Sequence, residues 1–198
     1  PRSPFEILDE NQKTLAVFDS THPEGKLTIS HLIKKLFLVS DNRAYNYLFD
    51  FLGRDHINKS LLEKGIRDFQ IYHKFSGATN NDKSPEFVFL SEEGKEIYRQ
   101  PARVSKIEPK RDDVFGVYKG KGFIEEGILI QAPMDFSKKN YASLRALNQI
   151  LKRLIFPDQF TKEASFDITT EDYEFLKYWM GRTPVSYTHL RAHETRGN

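Results

Sequence analysis

The chain of 198 residues contains no cysteine, which excludes disulfide bonds, a cysteine nucleophile and metal sites built on thiolates. It also lacks any long apolar run, and its mean hydropathy of −0.59 gives no sign of a membrane span. An excess of one charge is lacking as well, since 30 basic and 28 acidic residues leave a formal net charge of +2. Nucleic acid is therefore not expected as a partner. What the chain does have is 38% hydrophobic and 13% aromatic residues, enough to bury a core in one domain.

Both ends of the chain are unusual. It starts at Pro1 with neither a methionine nor a signal peptide, so we expect that a leader was removed or that the sequence begins partway through a gene. Residues 185–198 (VSYTHLRAHETRGN) have few large apolar residues and no helical or strand period. They resemble the translated read-through of a DNA sequencing adapter, with an ordinary disordered tail as the alternative. We therefore assign residues 1–184 to one domain and treat 185–198 as a non-native tail.

Hydrophobic periodicity predicts three helices in the first third of the chain. The first follows Thr28, a natural N-cap, and its apolar residues recur at helical spacing. Its predicted core-facing residues are Ile29, Leu32, Ile33, Leu36 and Phe37. The second helix begins around residue 42 and stops at Gly53, and the third spans 55–64 before another glycine. The basic pair Lys34-Lys35 is interpreted as part of a solvated helix face.

Two more helices are predicted towards the end of the chain. The fourth lies at 140–156 and has one apolar face, formed by Leu144, Leu147, Leu151, Leu154 and Ile155. The fifth starts at Thr169-Thr170, with acidic residues in its first turn as the helix dipole favours. Between the helices, EFVFL (86–90) and EIYRQ (96–100) predict a hairpin, and the charged, glycine-containing stretch 101–135 predicts mostly loop. We therefore predict an α+β fold that is mostly helical with a small β-hairpin element.

The tripeptide Ser40-Asp41-Asn42 stands between the first two predicted helices. Ser, Asp and Asn are the residues preferred at helix N-caps, so capping is the simplest explanation, and the chain would then be a helical binding or scaffolding domain. The surrounding stretch LTISHLIKKLFLVSDNRAYNYLFDFLG favours another explanation. It resembles the S-D-N segment of class A β-lactamases and related penicillin-recognising serine hydrolases.

Later segments extend this resemblance. DFSKKNYASLRALNQILKRLIFP looks like the family's later helix, and ITTEDYEFLKYWMGRTP is similar to its last helix, which closes on a Trp-Met pair and a glycine. Three landmarks thus follow the family's order over residues 27–183. The resemblance implies a three-layer α/β/α β-lactamase/transpeptidase-like parent fold. This chain would contain its helical subdomain and the edge of its cleft.

The resemblance also implies roles for the three motif residues. Ser40 would be the catalytic hydroxyl that relays a proton to the leaving amine during serine acylation. Asn42 would bind the substrate's side-chain amide, and Asp41 would be a buried structural residue that holds the turn. The family needs no cofactor, and the spacing of the histidines indicates no metal site. The implied substrate is a β-lactam or a cell-wall peptide, handled by a monomer outside the cytoplasm.

Motifs that would complete such a site are missing from the sequence. No serine is followed by lysine three positions later, and neither K-T-G nor K-S-G occurs, so the S-x-x-K nucleophile and the facing strand motif are absent. We expect both motifs to lie outside a fragment truncated at both ends, and we expect the 198-residue chain to be inactive by itself. The deacylating E-x-x-L-N motif is also absent from 71–87, where Glu86 is better explained as the start of a strand.

Overall fold

The computed structural model describes residues 2–75, 80–106 and 117–184, and the predicted non-native tail at 185–198 lies outside them. The helices are α1 (Ile29–Val39), α2 (Asn42–Leu52), α3 (Arg54–Glu63), α4 (Leu144–Ile155) and α5 (Thr170–Met180), with a 3-10 turn at Pro157–Gln159. The strands are β1 (Phe5–Leu8), β2 (Thr14–Ala16), β3 (Phe69–Gln70), β4 (Lys83–Ser84), β5 (Glu86–Leu90), β6 (Glu96–Gln100), β7 (Arg103–Val104), β8 (Tyr118–Lys119), β9 (Phe123–Glu125), β10 (Ile128–Ile130), β11 (Met134–Asp135) and β12 (Tyr141–Ala142).

A four-stranded antiparallel sheet with the order β2-β1-β5-β6 forms the centre of the fold. The predicted hairpin is confirmed, since β5 and β6 have the predicted bounds. The α+β class also agrees with the structure, but the prediction of a mostly helical chain is wrong. Helix accounts for 35% and strand for 23% of the described residues. Most of the missed strands have only two to four residues, too few to produce a period-two pattern in the sequence.

The hydrophobic core lies between this sheet and the first two helices. Its buried members are Phe5, Ile7, Leu27, Leu32, Ala44 and Phe87. Burial of a large apolar side chain stabilises the fold by about 1.5–3 kcal/mol, so this cluster ties α1 and α2 firmly to β1 and β5. The junction between the two helices is therefore held in place by the core beneath it.

The predicted start of α1 is confirmed, but its predicted buried face is wrong in part. The Thr28 side chain caps the helix by accepting from the His31 amide at 3.2 Å. The buried residues of α1 are His31, Leu32, Lys35 and Leu38. Phe37, predicted to face the core, is 41% exposed. The face is rotated because two polar side chains have partners inside the protein and take interior positions.

The predicted apolar face of α4 is also largely exposed. Leu144, Leu147 and Leu151 have exposed fractions of 85%, 48% and 46%, whereas Ala146 and Arg153 are buried. Arg153 takes an interior position because its guanidinium donates to the backbone carbonyls of Ala164 at 2.7 Å and Lys64 at 3.1 Å. Hydrogen bonding, rather than apolar periodicity, therefore decides which side of α4 faces inwards.

The stretch predicted to be mostly loop contains short antiparallel ribbons. Strand β8 pairs with β11, and β9 pairs with β10 around a turn at Glu126 and Gly127, so the loop prediction is wrong there. Residues 107–116 of that stretch lie outside the described part of the chain. Within the described ranges, no helix combines the length and apolar character that crossing a membrane requires.

Candidate active site

Helices α1 and α2 are joined by only two residues, Ser40 and Asp41. Ser40 has φ 53° and ψ 43°, the left-handed conformation in which glycine is the usual residue after a helix. Asp41 returns to the extended region and α2 begins at Asn42. A non-glycine residue held in this conformation costs on the order of 1 kcal/mol, and such strain is concentrated at functional sites. The junction is therefore compact and strained.

Asp41 is the residue that caps α2. It is 9% exposed, and its Oδ1 accepts from the Ala44 amide at 2.8 Å. Its Oδ2 lies 3.0 Å from Nζ of Lys35, a residue of α1. Capping of α2 thus explains the aspartate of the tripeptide. It does not explain why Ser40 and Asn42 flank that aspartate.

Ser40 and Asn42 are both exposed, on either side of the buried Asp41. The turn therefore presents a hydroxyl and a carboxamide at the surface, two residues apart along the chain. These groups can donate and accept hydrogen bonds, which is the chemistry that amide recognition and proton relay need. Their assignment to catalysis and substrate binding stays a prediction.

Lys35 belongs to the site, although its sequence context predicts a solvated helix face. That interpretation is wrong, because Lys35 is only 8% exposed. Its ammonium contacts Asp19 Oδ2 at 3.2 Å as well as Asp41. The available sequence signal was its spacing, since Lys35 shares a helix face with Leu38 and His31, at i+3 and i−4. Asp19 has no comparable signal, because it approaches α1 from a loop.

Burial and hydrogen bonding act in opposite directions on the two carboxylates. Burial alone would raise the pKa of Asp41, but the Ala44 amide and the Lys35 ammonium together hold that pKa below its ordinary value. For Asp19, burial is likewise outweighed by hydrogen bonds from Thr21 and by the charge of Lys35, so its pKa is lowered too. Both groups are ionised at neutral pH.

His31 completes this buried cluster. Its side chain is 2% exposed, and Nε2 lies 2.8 Å from Oγ1 of Thr21 and 3.8 Å from Oδ2 of Asp19. Burial lowers the pKa of His31 to about 4, although the charge of Asp19 opposes the shift. The imidazole is therefore neutral at physiological pH. Since the Thr21 hydroxyl donates to Asp19 at 2.6 Å, we infer that His31 donates from Nε2 to Thr21.

A cavity of about 460 Å³ adjoins the buried cluster. Its lining includes Asp19, Lys35 and Asp41, together with Arg43 and Tyr47 from the first two turns of α2. Ser40 and Asn42 are not among its lining residues. The cavity therefore lies on the side of the turn where Asp19, Lys35 and Asp41 meet.

A second segment is held against α2. The side chain of Asn46 donates to the Phe75 carbonyl at 2.9 Å and accepts from the Phe75 amide at 2.7 Å. Asn140 Oδ1 accepts from the amides of Tyr72 and His73 at 2.7 and 3.0 Å. The backbone of 71–75 is thus fixed beside the helix that follows the turn.

This region presents no evident glutamate base in its described residues. Between 71 and 87, the described part of the chain contains the carboxylates of Asp82 and Glu86. Glu86 begins β5, as predicted from the sequence, and forms an ion pair with Arg99 of β6. A carboxylate engaged in this way is poorly placed to activate water.

An S-D-N turn thus joins two helices that pack on an antiparallel sheet. A comparison with protein-family models places the chain among β-lactamase-related hydrolases: residues 9–168 match the Beta-lactamase enzyme family. The match covers more than half of the chain, so the chain belongs to that family, and the resemblance predicted from the sequence is confirmed. Searches of curated proteins and of solved structures find no match.

Proposed function

We propose that this chain forms one wall of the active site of a serine hydrolase that cleaves amide bonds in β-lactams or cell-wall peptides. The observation that carries the proposal is the conformation of Ser40, an exposed serine held at φ 53° where glycine would be less strained. The N-cap of α2 does not require this serine, because Asp41 makes that hydrogen bond, and glycine would suit the C-cap position of α1 that Ser40 occupies. A strained, exposed hydroxyl beside an exposed carboxamide is explained by a role in chemistry.

In the proposed reaction, a nucleophilic serine attacks the amide carbonyl and the carbon–nitrogen bond then breaks. The departing nitrogen must gain a proton, and Ser40 relays it while Asn42 hydrogen-bonds the substrate's side-chain amide. The nucleophile and the facing strand are not in these 198 residues, since S-x-x-K and K-T-G are absent. The proposal assigns both to the complete protein and predicts that the 198-residue chain is inactive alone.

Deacylation is proposed to be slow. The acidic residues available in the described parts of 71–87 include Glu86, which is paired with Arg99 and lies in a strand. Without a glutamate to activate water, an acyl-enzyme formed from a β-lactam persists. The complete protein would then be acylated by penicillins without hydrolysing them efficiently, as expected of a cell-wall peptidase. It is proposed to act as a monomer outside the cytoplasm.

The alternative is a binding or scaffolding domain in which the tripeptide only joins two helices. The N-cap of α2 by Asp41 favours this alternative, because it gives the motif a structural role. The two proposals differ in what they require of Ser40. A scaffold tolerates glycine or alanine at this position, whereas the hydrolase loses its proton relay.

The test uses the complete protein expressed from the full gene. A fluorescent penicillin should label the wild type covalently, and Ser40→Ala should reduce the labelling rate by about 100-fold, as removal of a proton-transfer group does. Ser91→Ala, in the β5–β6 turn, is the matched control and should label normally. A full gene without an S-x-x-K serine, or a Ser40→Ala protein that labels at the wild-type rate, would contradict the proposal.

A further inference from the structure

Lys35 occupies an unusual position for a lysine on a helix. Its side chain is 11% exposed and ends between two carboxylates that are 22 positions apart in the sequence. The Nζ atom lies 3.2 Å from Oδ2 of Asp19 and 3.0 Å from Oδ2 of Asp41. One ammonium thus joins the loop before α1 to the turn after it.

Each carboxylate uses its other oxygen to organise the backbone. Oδ1 of Asp41 accepts from the Ala44 amide at 2.8 Å and so caps α2. Oδ1 of Asp19 accepts from the amide of Thr21 at 3.0 Å and from its hydroxyl at 2.6 Å. Because both oxygens of each carboxylate are engaged, neither group can rotate without losing a contact to Lys35 or to the backbone.

Other charged and titratable groups face the same cluster. His31 of α1 is neutral at physiological pH. The ring of His22, from the loop before α1, packs edge-on against it, with the two ring centroids 4.9 Å apart. Lys34, also on α1, reaches over the ring of Trp179 instead. Arg43 of α2 is exposed and bonds the hydroxyl of Tyr47. Lys35 is therefore the buried cation that balances the two carboxylates.

Stability alone does not explain a buried lysine here. Desolvation offsets much of the attraction in a buried ion pair, and an apolar side chain of similar size often stabilises a protein as well or better. An apolar side chain cannot fix the orientation of a carboxylate. Because Asp41 lies between Ser40 and Asn42 in the sequence, the orientation of its side chain affects the directions in which the Ser40 and Asn42 side chains point.

We propose that Lys35 is a positioning residue, whose ammonium locks the Asp41 carboxylate and thereby aims Ser40 and Asn42 at the substrate. This inference rests on the proposed function of the turn. The inference extends the site beyond the S-D-N motif to Lys35. It also includes the loop residue Asp19, whose carboxylate holds the Lys35 ammonium opposite Asp41.

The test measures the acylation rate of the complete protein by a fluorescent penicillin as a function of pH. Lys35→Met removes the charge with little change in length and should lower the rate at least tenfold, because a displaced catalytic group costs on this order. The acid limb of the pH–rate profile should move to higher pH, since Asp41 loses the cation that favours its ionised form. Lys59→Met, on the exposed surface of α3, is the control and should leave the rate and the profile unchanged.

A second variant separates positioning from folding. In Lys35→Met combined with Asp19→Asn, one carboxylate has been neutralised together with the lysine, so the unfolding midpoint should recover towards the wild type while the rate stays low. Recovery of the rate along with the midpoint would show that Lys35 only stabilises the fold. An unmoved acid limb, or a pair variant whose midpoint does not recover, would equally overturn the inference.

Failure of the proposed function has a different signature. If the wild type is not labelled at all, the hydrolase proposal is wrong whatever Lys35 does. A ¹³C NMR titration of Asp41 would still report on the contact, and the midpoint pH of that titration should be higher in Lys35→Met. An unchanged midpoint would exclude the electrostatic link between Lys35 and the turn.

Discussion

Acidification between pH 7 and pH 4 should destabilise the protein through the buried imidazole of His31. His31 is 2% exposed, and burial lowers its pKa to about 4 from an ordinary value of 6.5. The unfolded chain therefore binds a proton near pH 6.5, while the folded protein resists protonation until about pH 4. Since the unfolded state binds more protons in this window, stability is fully present above pH 6.5 and falls as the pH drops towards 4.

The size of the effect follows from the gap between the two pKa values. A shift of one pKa unit corresponds to about 1.4 kcal/mol, so the gap amounts to a loss of about 3 kcal/mol by pH 4. The charge of Asp19, 3.8 Å from the ring, opposes this loss but does not cancel it. For a domain of ordinary stability, such a loss is a substantial part of the total.

Urea denaturation followed by circular dichroism, at constant ionic strength from pH 7.5 to 4.5, measures this loss directly. In His31→Gln, the amide can still donate to Thr21, but no group titrates there, so most of the pH dependence should disappear. His56→Gln, an exposed position on α3, is the control and should keep the wild-type dependence. Equal pH dependence in the wild type and in His31→Gln would refute the assignment to His31.

Two further predictions concern strain and buried hydrogen bonds. Ser40→Gly should raise the free energy of unfolding by about 1 kcal/mol, because glycine adopts positive φ without strain, and should slow acylation of the complete protein about 100-fold, as Ser40→Ala does. Glu126→Gly, at φ 49° in the β9–β10 turn, should show a similar gain with normal acylation, and a Ser40→Gly protein that is not stabilised would argue against strain. Arg153→Met should lower the free energy of unfolding by about 3 kcal/mol, because backbone carbonyls lose a charged donor. Its control is Arg145→Met on the exposed side of α4, and equal urea midpoints for the two variants would contradict the prediction.

Elements with local signals could be predicted from the sequence. The start of α1 depends on Thr28, whose side chain caps the helix within three residues of itself. Strands β5 and β6 are rich in aromatic and β-branched residues and are joined by a short glycine-containing turn, so their pairing also has a local cause. The start of α5 carries a capping box formed by Thr169 and Asp172. In each case, the interacting groups are close in sequence.

Features that depend on distant partners could not be predicted in this way. Strand β1 is central in the sheet because β5 pairs with it some eighty residues later, and its four residues show little periodicity. The predicted apolar face of α4 is exposed because Arg153 finds carbonyl partners in other segments. Lys35 resembles any surface lysine until Asp19 and Asp41 are known to converge on it.

By itself, the sequence determined the helices that flank Ser40-Asp41-Asn42, the family to which the chain belongs and the absence of S-x-x-K and K-T-G from these residues. Capping, periodicity and motif spacing are properties of neighbouring residues, so they can be read without coordinates. Only the tertiary structure decided that Asp41 caps α2 while Ser40 bears the strain, and that a buried lysine supports the turn. These features depend on which groups meet across the fold, because a buried charge is tolerated only where its partners have already been brought together.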